Sequence, residues 1–301
     1  MGALGAAAAY QLAEAAKTAP QFAALTPKWL LQMLEFKGLE TGVYRVNKVA
    51  ENEMPPDILS GKAFRDGAIP QGFIDYDAKP REYRLNSISV IVNVDTKISD
   101  IYGFPYDQTE EQIGLAIESL QEFQESMIIN GDEYGLLKNA TQRIQAKAGV
   151  PTPDDLDELM TKVWKEPSFF LAHPLAIAAF SRECTRRGLP LETANAAEGT
   201  FVAWRGVPIV PTDKAFVDGV KNPKGGGKTN IILVRTGEAK RGVIGLYQAD
   251  TPNERSKGIS VRLRGIDDNA IASYIISVYC AVAALADDSF AVLENVDVSR
   301  Y

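Results

Sequence analysis

Residues 107–130, DQTEEQIGLAIESLQEFQESMIIN, carry the longest periodic pattern in the chain. Ile113, Ala116, Ile117, Leu120, Phe123 and Met127 recur at spacings of three and four, which places them on one face of a helix. Glu110, Glu111, Glu118, Gln121, Glu122 and Glu125 fall largely on the other faces. Asp107 followed by Glu110 fits a capping box, and Asn130-Gly131 supplies a stop. At about 1.5 Å per residue such a helix is roughly 35 Å long, enough to span a small domain. A helix of this length with a single apolar stripe is a spine onto which sheets pack. It offers no chemistry of its own.

Composition narrows the class. The chain has 301 residues with 32 Lys and Arg against 39 Asp and Glu, a formal net charge of −7. An acidic chain without long basic runs is a poor non-specific ligand for nucleic acid. Cys184 and Cys280 lie far apart in sequence and read as buried thiols of a reducing compartment. The N-terminus lacks the basic flank and long apolar core of a secretion signal. Ala270 to Ala286 is an uncharged run just under membrane-span length. Its β-branched and aromatic residues predict a long buried strand, and a soluble cytosolic protein is expected.

Around the spine, the elements follow in order. An Ala-rich helix is expected over 5–17 and a second over Pro27 to Phe36, together forming an arm. Val43 to Val49 and Phe73 to Asp77 read as strands of a ribbon, joined through a mobile tip rich in Pro, Gly and charge. Ile88, Val90, Val92 and Val94 alternate with Ser89, Ile91, Asn93 and Asp95, a half-buried strand. Helices are expected from Thr152 to Trp164 and from Pro174 to Arg187, flanking a short apolar run at 169–172. Strands are expected over 199–210, 230–235, 243–248, 259–264, 270–285 and 290–298. Helices and strands are segregated, so the fold class is α+β.

Catalytic signatures are weak. Gly225-Gly226-Gly227-Lys228-Thr229 resembles the end of a phosphate-binding loop, but Asn222 stands where that motif needs Gly and a strand follows in place of a helix. His173, the single histidine, precedes Pro174 at a helix start and reads as structural. One histidine and two distant cysteines make a zinc site improbable. Asp154, Asp155, Asp157 and Glu158 occupy the first turns of a helix, where carboxylates cap N–H groups and complement the macrodipole. Asp267-Asp268 and Asp287-Asp288 read as turns. No catalytic residue, cofactor or metal ligand is assigned.

This order of elements resembles the major capsid proteins of tailed phages, and more closely the encapsulins. The resemblance is to the second encapsulin family, in the subclass without an inserted cyclic-nucleotide-binding domain. It is carried by TPKWLLQMLEFKGLETGVYRVN (26–47), DYDAKPREYRL (75–85), the spine, EYGLL (133–137), TPDDLDELMTKVWKEPSFFLAHPLAIAAFSRE (152–183) and ILVRTGE (232–238). The resemblance implies self-assembly into a small icosahedral shell. It implies an N-terminal arm over 1–48, an E-loop over 49–84, a peripheral domain over 85–150 with 266–301, and an axial domain over 151–265. It also implies enclosure of a cargo enzyme, a cysteine desulfurase, and a link to sulfur metabolism.

The same resemblance places the loop Thr212 to Lys228 at a fivefold axis. Lys214, Lys221, Lys224 and Lys228, with Gly225, Gly226 and Gly227, are therefore the candidate pore residues. Four lysines outnumber Asp213 and Asp218 by two charges, which favours anions at a pore. Three rival readings stay open: a phage capsid subunit, a cytosolic enzyme with a metal at Asp154 to Glu158, and a membrane-associated protein using Ala270 to Ala286.

Overall fold

The expected spine is present, and two sheets are built around it. The computed structural model describes residues 7, 26–47, 80–94, 108–197, 199–216, 227–268 and 271–298. In chain order the elements are α1 (Trp29–Met33), β1 (Phe36–Leu39), β2 (Val43–Val46), β3 (Arg81–Arg84), β4 (Asn86–Val94) and the spine α2 (Gln108–Asn130). Then come α3 (Leu136–Asn139), β5 (Gln142–Gln145), α4 (Pro153–Lys162), β6 (Phe169–Ala172), α5 (Pro174–Arg186), β7 (Glu192–Ala196), β8 (Gly199–Trp204) and β9 (Val207–Pro211). The chain closes with β10 (Lys228–Val234), β11 (Val243–Gln248), β12 (Glu254–Ser256), β13 (Ile259–Ile266), β14 (Ala272–Ala284) and β15 (Phe290–Asp297).

The first sheet is organised on β14. This is the strand expected from the uncharged run near residue 280, and it is thirteen residues long. Its Ala272–Cys280 half pairs antiparallel with β4, its Ala272–Val278 stretch with β13, and its last five residues with β11. Strand β1 extends this sheet by pairing parallel to β11. The spine lays Ile113 and Leu120 against Ile259, Val261, Ile276 and Val278. The second sheet has seven strands in the order β5-β15-β10-β6-β9-β8-β7. Helices α4 and α5 cover one face of it through Leu156, Leu159, Ala176 and Phe180. The other face packs Phe169, Leu171, Ile232 and Val292 against Leu30, Leu34, Ile128 and Ile129, so arm and spine share that core.

Hydrogen bonding crosses the boundaries expected at residues 150 and 265. Strands β5 and β15 belong to the sheet of residues 169–234, whereas β11, β12 and β13 belong to the sheet of β14. Of the expected ribbon, Val43–Val46 forms β2, and its partner is β3, which the sequence reading did not name: the two pair antiparallel from Val43↔Arg84 to Val46↔Arg81. Tyr83 secures it to β14, its hydroxyl donating to the Ala284 carbonyl at 2.9 Å. The expected helix over 5–17 apart from Ala7, the strand over 73–77 and Asp107 of the capping box lie outside the described residues.

Three expectations change. The arm helix stops at Met33, because Leu34 turns to extended backbone and Phe36 enters β1. The single strand expected over 199–210 is two, separated by Arg205 and Gly206, both with positive φ. On the spine, Phe123 is 53% exposed while Gln124 and Glu125 are buried. The buried stripe follows the apolar count through Ile113 and Leu120 and then shifts to Gln124, Glu125, Ile128 and Ile129, where Glu125 meets Leu30 N–H and Lys214.

A buried cation joins the ends of the two sheets. Arg235, 1% exposed, directly follows β10, and Nη2 donates to Asp288 Oδ1 at 2.8 Å in the turn before β15. Lys165 also reaches Asp288, at 2.9 Å. The Arg235 hydrogen bond is the main reason the Asp288 carboxyl titrates below its ordinary value. Such a group stabilises the fold above its unfolded pKa, near 3.8, and loses that contribution as pH falls through the lower folded value. Asp288→Asn should lower the unfolding free energy at pH 7 by about 3–5 kcal/mol, as expected when a buried charge loses its partner. Urea unfolding of both proteins should show the difference shrinking as pH is lowered beneath 3.8.

Candidate functional site

The loop between β9 and β10 is the one place where sequence suggested a charged functional surface. Its two ends are firmly built. Thr212 N–H donates to the Ala172 carbonyl at 2.9 Å, continuing the sheet past β9. On the far side Gly227 is buried and its carbonyl accepts from Val298 N–H at 2.9 Å. The buried Thr229 hydroxyl donates to Ala215 at 3.1 Å, so the two stems touch. Lys221, Lys224, Gly225 and Gly226 lie outside the described residues. Lys228 is exposed and opens β10 opposite Asp297. Lys228 and Thr229 therefore begin a strand, so the helix required by a phosphate-binding loop does not follow.

Lys214 departs from the expected role. Its side chain is 7% exposed and points inward, where its ammonium meets Glu122 and lies 3.6 Å from Glu125 and 2.6 Å from Asp213. It also donates to the Thr26 hydroxyl at 2.6 Å. A lysine held by three carboxylates offers no free charge to a pore, and Lys214 leaves the candidate set for that reason. Asp213 leaves with it. By count, Lys221, Lys224 and Lys228 then stand against Asp218 alone in this stretch of sequence, so its excess of two positive charges is unchanged.

The node joins three distant segments. Glu122 Oε1 accepts from Thr26 N–H at 2.6 Å, and Glu125 Oε1 accepts from Leu30 N–H at 2.9 Å. Asn130 adds a bond from its side-chain amide to the Lys214 carbonyl at 2.9 Å. Burial pushes the Glu125 carboxyl above the usual carboxylate range, against the pull of Leu30 and Lys214. Burial also opposes the charge on Lys214, but Asp213 and Glu122 outweigh it and hold the ammonium above its ordinary value. Sequence showed Glu122 and Glu125 only as polar helix positions; the signal that could have marked them is their i,i+3 spacing toward the arm.

The other polar candidates have structural partners. Thr152 and Asp155 form a reciprocal capping box on α4. Asp154 pairs with Arg187, Asp157 with Arg205 and the Trp204 indole, and Glu158 with Lys147. His173 caps α5, its Nδ1 accepting from Leu175 N–H at 3.2 Å, and burial lowers its pKa. Cys184 and Cys280 are buried and unbridged. Burial pushes the Cys280 thiol up to about 12, with Gln124 hydrogen bonding in the opposite sense. Among the described residues no group of three His, Cys, Asp or Glu could hold a metal ion, and no helix is long and apolar enough to cross a membrane.

What remains is a scaffold whose polar groups hold its own segments together, and comparison with known proteins says what such a scaffold is. The model of SrpI-like type 2A encapsulin shell proteins matches residues 42–300. The chain belongs to this family. The type 2A encapsulin shell protein SrpI of Synechococcus elongatus is 49% identical over 296 residues, 98% of this chain and 94% of its own. The cryo-EM structure of the holo-SrpI encapsulin complex from Synechococcus elongatus superposes with a TM-score of 0.82 at 48% identity, covering 99% of this chain and 98% of that one. The capsid of an empty GTA particle shares the fold at 14% identity, with a TM-score of 0.65 over 97% of this chain and 99% of that one. The type 2A encapsulin fold is thus a capsid fold, and the curated relatives are shell proteins rather than enzymes.

In this encapsulin the Lys214 node is accessible to test. Lys214→Met keeps the stem and removes the charge, leaving the buried Glu125 beside the partly buried Glu122. The expected cost is about 3–5 kcal/mol of unfolding free energy. Adding Glu125→Gln should return part of that loss. Urea unfolding of the two single variants and the double variant supplies the cycle, and strict additivity would mean that the ammonium and the carboxylate are not coupled.

Proposed function

We propose that the chain assembles into a closed icosahedral shell in the cytoplasm, which encloses a cysteine desulfurase as cargo and serves sulfur metabolism. The observation that carries the shell reading is the family match along nearly the whole chain. His173 caps α5, the α4 carboxylates pair within the fold, and both cysteines are buried. In this reading residues 1–48 are the arm and 49–84 the E-loop. Residues 85–150 with 266–301 form the peripheral domain and 151–265 the axial domain, with β5, β15 and β11–β13 hydrogen-bonded across the division.

The cargo reading is tested on particles purified from the native source. Supplied with cysteine and a thiol reductant, they should form alanine and release, as sulfide, the sulfur that the reductant frees from the persulfide; His173→Ala in the shell chain should leave that rate within about twofold, since the imidazole caps a helix. Particles without that activity, or particles filled with DNA, would remove the desulfurase cargo.

The loop between Thr212 and Lys228 is proposed as a fivefold opening that favours anions. The support is the lysine excess, which survives the loss of Lys214, and the contact between the two stems at Thr229 and Ala215. Replacing Lys221, Lys224 and Lys228 with Glu should slow entry of a small anionic probe at low salt. The slowing should fade near 1 M salt, where screening shrinks to about 3 Å. Equal influx in intact shells at both salts would show that these lysines do not line the route.

A further inference from the structure

Two stretches of the sequence, REYR (81–84) and EYGLL (133–137), converge on one cavity of about 190 Å³. It lies between β3, the turn that follows the spine, and the junction of β14 with β15. Part of its lining is apolar, from the buried Leu136, Val282 and Phe290. A cavity near 150 Å³ holds benzene, so this one admits a ligand of about six to ten non-hydrogen atoms.

The wall beyond the spine is built by a tight turn. Gly135 N–H donates to the Gly131 carbonyl at 3.0 Å. A Cβ on Gly135 would collide with that same carbonyl, so the turn needs glycine there. The Asn139 amide fixes the turn further, donating to the Glu133 and Gly135 carbonyls, each at 3.0 Å. On the other wall the buried Tyr83 is tied to β14 through Ala284. The Tyr83 and Tyr134 rings meet at 5.5 Å between centroids. The Tyr134 hydroxyl accepts from Arg84 N–H at 3.2 Å, and its own proton has no acceptor among the described residues.

Three charged residues line the cavity, and they are not equivalent. Glu82 is neutralised by Arg45 at 2.7 Å. Arg81 has one ion pair among the described residues, with the half-exposed Asp287 at 3.7 Å, beyond hydrogen-bonding distance. Glu133 has no ion pair among the described residues. Arg81 and Glu133 therefore border one space without closing on each other.

The lining selects among ligands. Water serves the two charges but gains nothing from Leu136, Val282 and Phe290. A simple carboxylate meets Arg81 and is repelled by Glu133, and a simple amine has the reverse difficulty. A small zwitterion with an aliphatic tail satisfies all three features at once. We propose that this cavity binds a free aliphatic α-amino acid. Arg81 and the Tyr134 hydroxyl take its carboxylate, Glu133 takes its ammonium, and Leu136, Val282 and Phe290 take its side chain. The site goes beyond the shell reading and does not depend on it.

The experiment titrates purified protein, in the assembly it adopts, with leucine, isocaproate and isoamylamine by calorimetry. Isocaproate lacks the ammonium group of leucine, and isoamylamine lacks the carboxylate. Leucine should bind at least about tenfold more tightly than either, as one charged hydrogen bond supplies. Glu133→Gln, on an exposed side chain, should weaken leucine about tenfold and leave isocaproate equal or tighter. Arg81→Gln should weaken leucine and isocaproate and spare isoamylamine. A general distortion of the site does not produce these opposite responses, and Glu133→Gln carries the test alone where Arg81→Gln disturbs β3. No heat from leucine at millimolar concentration overturns the proposal. So does isocaproate binding as tightly as leucine, or equal losses for all three probes in both variants, since neither charge then selects.

Discussion

One ammonium group, that of Lys214, ties the arm, the spine and the loop stem into a single body. Removing an ammonium and two carboxylates from water costs several kcal/mol per ion, and attraction alone seldom recovers it. Here each partner does further work. Glu122 and Glu125 accept backbone N–H groups of the arm, and Lys214 also bonds Thr26. The arm helix explains the need. It has five residues and no side-chain cap of its own, because Lys28 at its start carries only donors and no acceptor. A helix that short is unstable alone, and its free N–H groups need acceptors. The spine supplies them from across the fold.

The same logic operates where β10 ends. Arg235 is buried beside Asp288, and the backbone carbonyls of Lys165 and Arg241 lie near its guanidinium. Three turns that sequence would score as solvated loops converge on one cation. Their convergence fixes how β15 returns from β14, and hence how the two sheets share a chain. Apolar packing then fills in around it, with Phe169, Leu171, Ile232 and Val292 on one side and the arm and spine on the other.

A shell protein needs rigid bodies and surfaces more than reactive groups, and the distribution of polar residues reflects that. Most charged groups in the interior bind segment to segment. Lys228, by contrast, is exposed at the start of β10. Function in a shell protein resides in how copies meet, which is why no single residue announces it.

Much of this was set by sequence alone. The spine, β4, β6, β14, β15 and the helices α4 and α5 follow from local periodicity and capping, since each pattern is complete within one segment. The family likewise follows from stretches spread along the chain. Short strands such as β5 and β7 were not legible, because four or five residues without strong alternation become a strand only beside a neighbour. The candidate loop was legible as a composition of lysine and glycine, but the inward turn of Lys214 was not. Its side chain is drawn to Glu122 and Glu125, about ninety residues earlier in the chain. The choice between a solvated lysine and a buried one depends on what the fold places within reach, and only the tertiary structure brings those carboxylates there.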